Sequence, residues 1–397
     1  MLPLFLSTCA IVVGLGMVVP LLPFYAGRFG ASAVEVTWLF AIYSACNFLA
    51  APIWGRLSDR VGRKAVILIC FAGTAVSYVW LAYVSGLGEL FASRALAGAM
   101  GGWMAAGQGW VADTTQPDRR ARGMGMLGAA FGIGFVIGPF LGALAVGGKE
   151  PNFEMPILFS AAASVLALAI GAVLIREPDR HTAREEDATV SLRVFSMPLL
   201  LMLLAVYFAG FFVFSGLESS FALWGEAVLA LGPREVGLLL GFAGICMAIV
   251  QGGLLGRLAH RFGEARLVLA GILLLMAGLL AIPPAASAWW LMPAFALLAL
   301  GQGITNPSLQ SLVSRIAPSD WKGGALGAAQ AAASMGRILG PVWAGLAFTA
   351  IGVDWPFLGG ALLLLPVLAL AILAGRRIGR HRAAPAPAAS GQTEESP

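Results

Sequence analysis

Glu218 is the residue whose type and position most directly suggest chemistry. It lies within a long apolar stretch, after Ser215-Gly216-Leu217, and is the only carboxylate predicted well inside such a stretch. A carboxylate inside a membrane span is costly to bury, and such a residue is therefore usually functional. The alternative is that Glu218 lies at the interface, near the end of its span. Arg337 is a candidate neighbour if the fold brings the two together, which the sequence leaves open.

A second group of charges lies between two apolar runs, at residues 55–64. The segment reads Gly-Arg-Leu-Ser-Asp-Arg-Val-Gly-Arg-Lys, and a related copy occurs 201 residues later, at 256–265. Its two glycines, Gly55 and Gly62, predict a tight turn between two membrane spans. Asp113 is expected at the same depth as Arg63, with the opposite charge, so we predict a contact or a bridge through one water between them in an outward-facing state.

Composition places these residues in a membrane protein. Hydrophobic residues make up 59% of the chain and charged residues 11%, well below the share of about 25% that is usual for soluble domains. We predict an all-α membrane protein of twelve spans, each long enough to cross a bilayer as a helix. The spans are 3–26, 33–54, 65–86, 90–112, 123–147, 155–175, 197–224, 235–255, 266–284, 289–313, 323–350 and 355–375.

The repeat divides the chain into related halves. We predict an N-terminal six-helix bundle at 1–176, a cytoplasmic linker at 177–196, a C-terminal six-helix bundle at 197–375 and a disordered cytoplasmic tail at 376–397. Of the 25 Lys and Arg residues, 20 fall in alternate loops or at the C-terminus, which predicts that both termini are cytoplasmic. This placement explains the net charge of +5 without a nucleic-acid partner.

Small residues recur in spans five and eleven. Span five contains Gly125, Gly134, Gly138, Pro139 and Gly142, and the first four have counterparts 202 residues later. Such stripes pack helices closely, and the repeated Gly-Pro favours a kinked, moving interface over simple packing.

The predicted substrate cavity is lined by Trp103, Gln302 and Asn306. They combine polarity without charge at mid-membrane depth with an Asn-Pro step that can break a helix. Glu35 and Glu235 are instead predicted to cap helix starts. No Ser/His/Asp set, metal-binding cluster or cofactor site is apparent, so we do not expect an enzyme. The four cysteines fall within apolar spans and are interpreted as packing residues.

Several of these motifs resemble the major facilitator superfamily. The 55–64 segment is similar to its loop signature, and 94–98 is similar to its span-four Arg motif, with Ala97 in place of the usual Gln. The span-five glycines and Pro139 resemble its antiporter motif, with Ala143 replacing the last Gly. Residues 217–224 and 306–310 resemble the tetracycline-efflux branch of the 12-span drug/proton antiporters.

The resemblance implies roles for these residues. Asp59, Arg60 and Arg63 would form a gate on the inward side, with Arg63 pairing with Asp113, and Arg94 would tune proton exchange. The Gly138-Pro139 step would seal the outward half and favour export. One departure affects the expected substrate: the branch carries an acidic residue early in span one, where this chain has Leu6-Ser7-Thr8. Tetracycline and the usual proton route are therefore both in question.

The sequence thus favours a monomeric, proton-driven exporter of a small amphipathic or cationic compound, in a bacterial inner membrane and in contact with its lipids. An importer or facilitator of a sugar or organic acid is the alternative, and lipid translocation or a sensor role is a third. The sequence does not identify the compound, and it does not decide between protons and sodium.

Overall fold

The computed structural model describes residues 1–148, 151–178, 196–318 and 321–383, and every regular element in these ranges is helical. The helices are α1 (Leu2–Val18), α2 (Leu22–Gly27), α3 (Ala33–Val61), α4 (Arg63–Ala82), α5 (Leu87–Ala99), α6 (Trp103–Thr114), α7 (Pro117–Ala145), α8 (Glu154–Leu174), α9 (Pro198–Leu229), α10 (Pro233–Ile249), α11 (Leu255–Phe262), α12 (Glu264–Leu280), α13 (Ala288–Ile316), α14 (Lys322–Ala350) and α15 (Trp355–Ala383).

These helices combine into twelve crossing units, as predicted. Three units are interrupted: α1 and α2 are separated near Pro20, a 3₁₀ turn at Met100–Gly102 separates α5 from α6, and a π-helical turn at Val250–Leu254 separates α10 from α11. Eight of the described helical segments are individually long and apolar enough to span a membrane. Helices α1 to α8 form one half of the molecule and α9 to α15 the other.

Two predicted boundaries were wrong. Helix α3 runs to Val61, seven residues beyond the predicted end of its span, and α15 continues to Ala383, so the first eight residues of the predicted tail are helical. The rest of the tail, 384–397, lies outside the described residues. So do residues 179–195 of the predicted linker.

Corresponding glycines pack in the same way in both halves. A Cβ atom on Gly134 or Gly138 would lie within 3.0 Å of a carbonyl oxygen of α1, that of Cys9 or Val13. On Gly336 or Gly340, 202 residues later, it would meet the carbonyl oxygens of Phe208 and Phe212 on α9. Because both halves use small residues to bring the same two helices together, the repeat seen in sequence is a repeat of structure.

The two halves touch at one end of the molecule. Residue 1, Ala383 and the turn at Gly62 lie at what we call the basic end; the short connections after α2, α4 and α7 lie at the opposite end. Near the opposite end, added Cβ atoms on Gly237, Gly241 and Gly244 of α10 would lie within 2.8–3.3 Å of α7.

The contact between α7 and α10 does not continue to the basic end. The same faces carry further glycines, at 125, 128 and 132 on α7, at 252 in the π-helical turn and at 256 on α11. None of these has another residue within 4 Å of an added Cβ. The contact between α3 and α14 differs between the two ends in the same way. An added Cβ on Gly345 would meet Thr37 and Val34, whereas one on Gly327 would have no other residue within 4 Å. The halves are therefore closed against each other at the opposite end and apart at the basic end.

Candidate functional site

The 55–64 segment is a helix break of one residue rather than a loop. Gly55 lies inside α3, with no other residue within 4 Å of an added Cβ, so the prediction of a two-glycine turn was wrong. Gly62 alone separates α3 from α4, with φ 118° and ψ 146°, a backbone conformation that is open essentially only to glycine. Helix α3 can continue through its charged end because basic side chains in the last turn of a helix interact favourably with the helix dipole.

Arg63 begins α4 and gathers the polar groups around it. Its Nε donates to Asp113 Oδ2 at 2.9 Å, and its Nη1 lies 2.5 Å from Asp59 Oδ1 and 2.7 Å from Ser58 Oγ. An added Cβ on Gly109 would lie 2.6 Å from the Arg63 guanidinium, so the glycine makes room for it. The predicted contact between Arg63 and Asp113 is therefore present in a structure whose basic end is open, and its role in an outward-facing state stays a prediction. Arg60 is exposed on the same turn.

Glu177 is a member of this site that the sequence did not indicate. It follows α8, and its two carboxylate oxygens accept hydrogen bonds from the backbone N–H groups of Arg63 (2.5 Å) and Lys64 (2.9 Å). The first N–H groups of a helix have no partner within it, so Glu177 caps α4. Lys64 Nζ also donates to the Ala172 carbonyl at 2.8 Å. The end of α8 is therefore fastened to the gate segment.

Arg94 lies buried in the N-terminal half with unpaired donors. Its side chain is 3% exposed, and among the described residues neither Nε nor Nη1 has a hydrogen-bond partner. Its guanidinium carbon lies 4.7 Å from the centre of the Tyr43 ring, a cation–π arrangement, and Tyr78 is a further electrostatic neighbour. Gly98 allows this packing, because an added Cβ there would collide with the Tyr43 carbonyl.

Arg337 is the corresponding cation of the C-terminal half. Its guanidinium carbon lies 4.8 Å from the centre of the Phe211 ring, and its Nη2 donates to Ser334 Oγ at 3.1 Å. Its electrostatic neighbours are Tyr207, Tyr43 and Glu218.

Glu218 is partly buried, and it forms no ion pair within 4 Å among the described residues. The structure thus gathers Glu218, Arg94 and Arg337 into one region. We call it the central cluster, with members Tyr43, Tyr78, Arg94, Tyr207, Glu218 and Arg337.

Tyr43 links the two halves of the central cluster. It belongs to α3, yet it interacts electrostatically with both Arg94 of its own half and Arg337 of the other. Sequence reasoning missed all three cluster tyrosines. The signal was available, because the chain has only five tyrosines and three of them are here.

The three residues predicted to line a cavity differ in their surroundings. Trp103 packs inside the N-terminal half, 8% exposed, with its ring centre 5.9 Å from that of Phe71. Gln302 is buried with its Oε1 unpaired among the described residues, while Asn306 is partly exposed. Gln310, four residues beyond Asn306 on the same face, donates to the Tyr207 hydroxyl at 3.1 Å. The polar face of α13 therefore reaches the central cluster.

The span-five glycines divide into two groups. Gly134, Gly138 and Gly142 pack against α1 within their own half, whereas Gly125 has no neighbouring residue within 4 Å of an added Cβ. Pro139 lies between the halves: its carbonyl oxygen would be 3.0 Å from a Cβ on Gly237. The stripe therefore fixes α7 on α1 and places the Gly-Pro step in the closed contact.

The remaining candidate residues have structural roles. Glu35 forms a capping box with Ser32, and Glu235 accepts a hydrogen bond from the Gly232 N–H at 2.9 Å, so both helix-start predictions are confirmed. All four cysteines are free. Within the described ranges, no group of three or more His, Cys, Asp or Glu side chains could hold a metal ion.

Comparison with known proteins decides the family. A sequence model of the Major Facilitator Superfamily matches residues 4–341 and 229–396. The chain belongs to the Major Facilitator Superfamily. It is 32% identical to the class C tetracycline resistance protein of Escherichia coli over 376 residues, which cover 90% of this chain and 93% of that protein. It is 27% identical to multidrug resistance protein 1 of Bacillus subtilis (strain 168), over 90% of this chain and 92% of that one.

Solved structures of the superfamily share the fold. The human organic anion transporter MFSD10 (TETRAN) has a TM-score of 0.71 at 25% identity, covering 93% of this chain and 98% of that one. A bacterial homologue of the human lysosomal transporter Spinster has a TM-score of 0.76 at 16% identity, covering 97% of this chain and 98% of that one. The chain is an integral membrane transporter of small molecules and not an enzyme.

Proposed function

We propose that this member of the superfamily exports small amphipathic or cationic drugs in exchange for protons. The names of its relatives support drug export, because they are tetracycline and multidrug resistance proteins with which it aligns over most of its length. The observation that carries proton exchange is the position of Glu218. It is a carboxylate without an ion pair in the described residues, inside a span and within a cluster that draws on both halves.

We assign the basic end to the cytoplasm, as the concentration of Lys and Arg there supports. In this assignment both termini are cytoplasmic, and the structure is the state that receives substrate from inside. Closing of the basic end then moves the substrate outward. Glu218 takes up a proton from outside and loses it inside, and the free energy of the proton gradient drives export. Arg94 and Arg337 set the charge around Glu218, and Gln302 and Asn306 contact the substrate. The protein works as a monomer in contact with lipids.

A second candidate substrate class is organic anions. The central cluster contains two cations and one carboxylate, so it carries excess positive charge, and the 25%-identical solved structure is named an organic anion transporter. Transport of a panel of cationic, zwitterionic and anionic aromatic compounds into inverted vesicles separates the two. Export of cations that stops when the proton gradient is dissipated supports the leading proposal. A rate that rises with negative charge on the compound supports the second.

Glu218→Gln tests the coupling step directly. Gln resembles the protonated acid, so we expect the variant to bind substrate and exchange it passively but to lose proton-linked export. Substrate-induced proton release from purified protein in detergent measures the step. Glu226→Gln is the matched control, because Glu226 is an exposed carboxylate on the same helix, two turns further along. Proton release by Glu218→Gln at the wild-type level would show that another group carries the proton.

A further inference from the structure

A second ion pair lies at the basic end of the C-terminal half. Glu264 begins α12 and Arg315 lies in the last turn of α13. Arg315 Nη2 is 3.1 Å from Glu264 Oε1, and Nη1 is 3.1 Å from Oε2, a two-pronged arrangement. Ser311 Oγ also donates to Glu264 Oε1 at 3.1 Å. The Glu264 side chain is 12% exposed and that of Arg315 is 55% exposed, so the acid is fixed and the arginine is free to change partner.

This pair repeats the Arg63–Asp113 pair with its charges exchanged. Glu264 occurs 201 residues after Arg63, and Arg315 occurs 202 residues after Asp113. Each first member starts a helix directly after a glycine with positive φ. The same two helices are therefore joined at the same place in both halves, with an acid wherever the other half has a base.

The reversal matters where corresponding parts of the two halves meet. At the closed opposite end they do meet: α2 and the last turns of α9 are equivalents, and Phe24 packs against the core of the C-terminal half while Leu223 packs against that of the N-terminal half. Closing of the basic end brings the ends of α6 and α13 together in the same way. Equal polarity would then place like charges opposite each other. Reversed polarity places Asp113 opposite Arg315.

We propose that Glu264 and Arg315 form a second gate latch, and that Arg315 leaves Glu264 for Asp113 when the basic end closes. The inference rests on the alternating-access part of the proposed function. In the open state each latch holds its own half, and in the closed state the exchanged pair holds the halves together. Glu264 is a positioning residue that keeps Arg315 at the rim until then.

The test measures closure directly with spin labels. Val61 and Phe262 are exposed residues at the ends of α3 and α11, one on each half of the basic end. Val61→Cys and Phe262→Cys carry the spin labels, in a chain whose native cysteines are replaced. The distance between the labels gives the separation of the halves and the fraction of closed molecules. Asp113→Asn keeps an acceptor for Arg63 but loses the charge. In the wild type, Asp113→Asn should lower the ratio of closed to open molecules about fivefold.

The sign of that effect should reverse in a charge-swapped protein. Glu264→Arg with Arg315→Glu restores the local pair but sets Glu opposite Asp113, so closure and transport should fall, and adding Asp113→Asn should raise closure about fivefold. A swapped protein that closes and transports like wild type overturns the proposal, as does an Asp113→Asn effect with the same sign in both backgrounds.

If the swapped protein does not fold, Arg315→Gln replaces it. In that background Asp113→Asn should have no effect on closure, and an undiminished effect overturns the exchange. Arg257→Glu is the matched control, because it makes the charge change of Arg315→Glu at an exposed site on α11. It should leave the distance distribution unchanged. The distance needs neither drug nor proton gradient. Failure of the latch is therefore distinguishable from failure of the proposed transport.

Discussion

Replacing Gly62 by alanine tests the reasoning about the gate segment, since two independent features oppose it. The first is the backbone, whose φ of 118° costs alanine about 1–3 kcal/mol. The second is space: the new Cβ would lie 2.9 Å from Glu177 Oε1 and 3.0 Å from its Oε2, so the carboxylate must withdraw from the α4 N–H groups that it caps. The site is exposed, so we assign the lost cap about 1 kcal/mol. The expected loss of unfolding free energy is about 2–4 kcal/mol.

Gly55→Ala is the matched control, seven residues earlier in the same motif. It lies inside α3 with no other residue within 4 Å of an added Cβ, so alanine should stabilise the protein by about 0.5–1 kcal/mol through helix propensity. Unfolding in mixed detergent–SDS micelles measures both variants. Adding Glu177→Ala to Gly62→Ala should remove the crowding and leave the backbone cost. Equal stabilities of the two alanine variants would refute this explanation of the motif glycines.

Two further predictions follow from the packing and the first latch. Gly138→Ala should destabilise the protein by about 1–3 kcal/mol, because its Cβ would lie 2.6 Å from the Val13 carbonyl; Gly125→Ala, with nothing nearby, should not, and thermal unfolding of both in detergent compares them. Arg63→Ala and Asp113→Ala should each slow transport in vesicles by several-fold at equal amounts of protein in the membrane, because each leaves a half-buried charge unpaired. Wild-type rates in both would exclude the pair from the gate.

The architecture was predictable because hydropathy and repetition are signals along one dimension. Twelve apolar runs and two copies of one decapeptide suffice to define two six-helix halves. The ends of the helices were not predictable in this way. Helix α3 extends to Val61 through four charged or polar residues, because its end is set by the backbone of Gly62 and not by apolarity.

The site was predictable where depth and charge alone decide a contact. Arg63 and Asp113 have opposite charges at equal depth, and they pair. The approach of Tyr43 to Arg94 depends instead on Gly98, which lets two helices come close, and on a rotation of α3 that no sequence pattern reports. The pair of Glu264 and Arg315 was not predictable from residue identity, because these two residues have charges opposite to those of Arg63 and Asp113 in the first repeat.

The glycine-lined contact between α7 and α10 has a mechanical consequence. Gly237, Gly241 and Gly244 bring α10 close to Ala143, Phe140 and Val136 of α7, so at these positions α10 contributes no side chain to the contact. At these positions, separation of the two helices requires no side-chain rearrangement on the α10 side. We expect the two halves to rotate against each other along this contact. We therefore expect the charged groups at the basic end, rather than this contact, to limit the rate of the cycle.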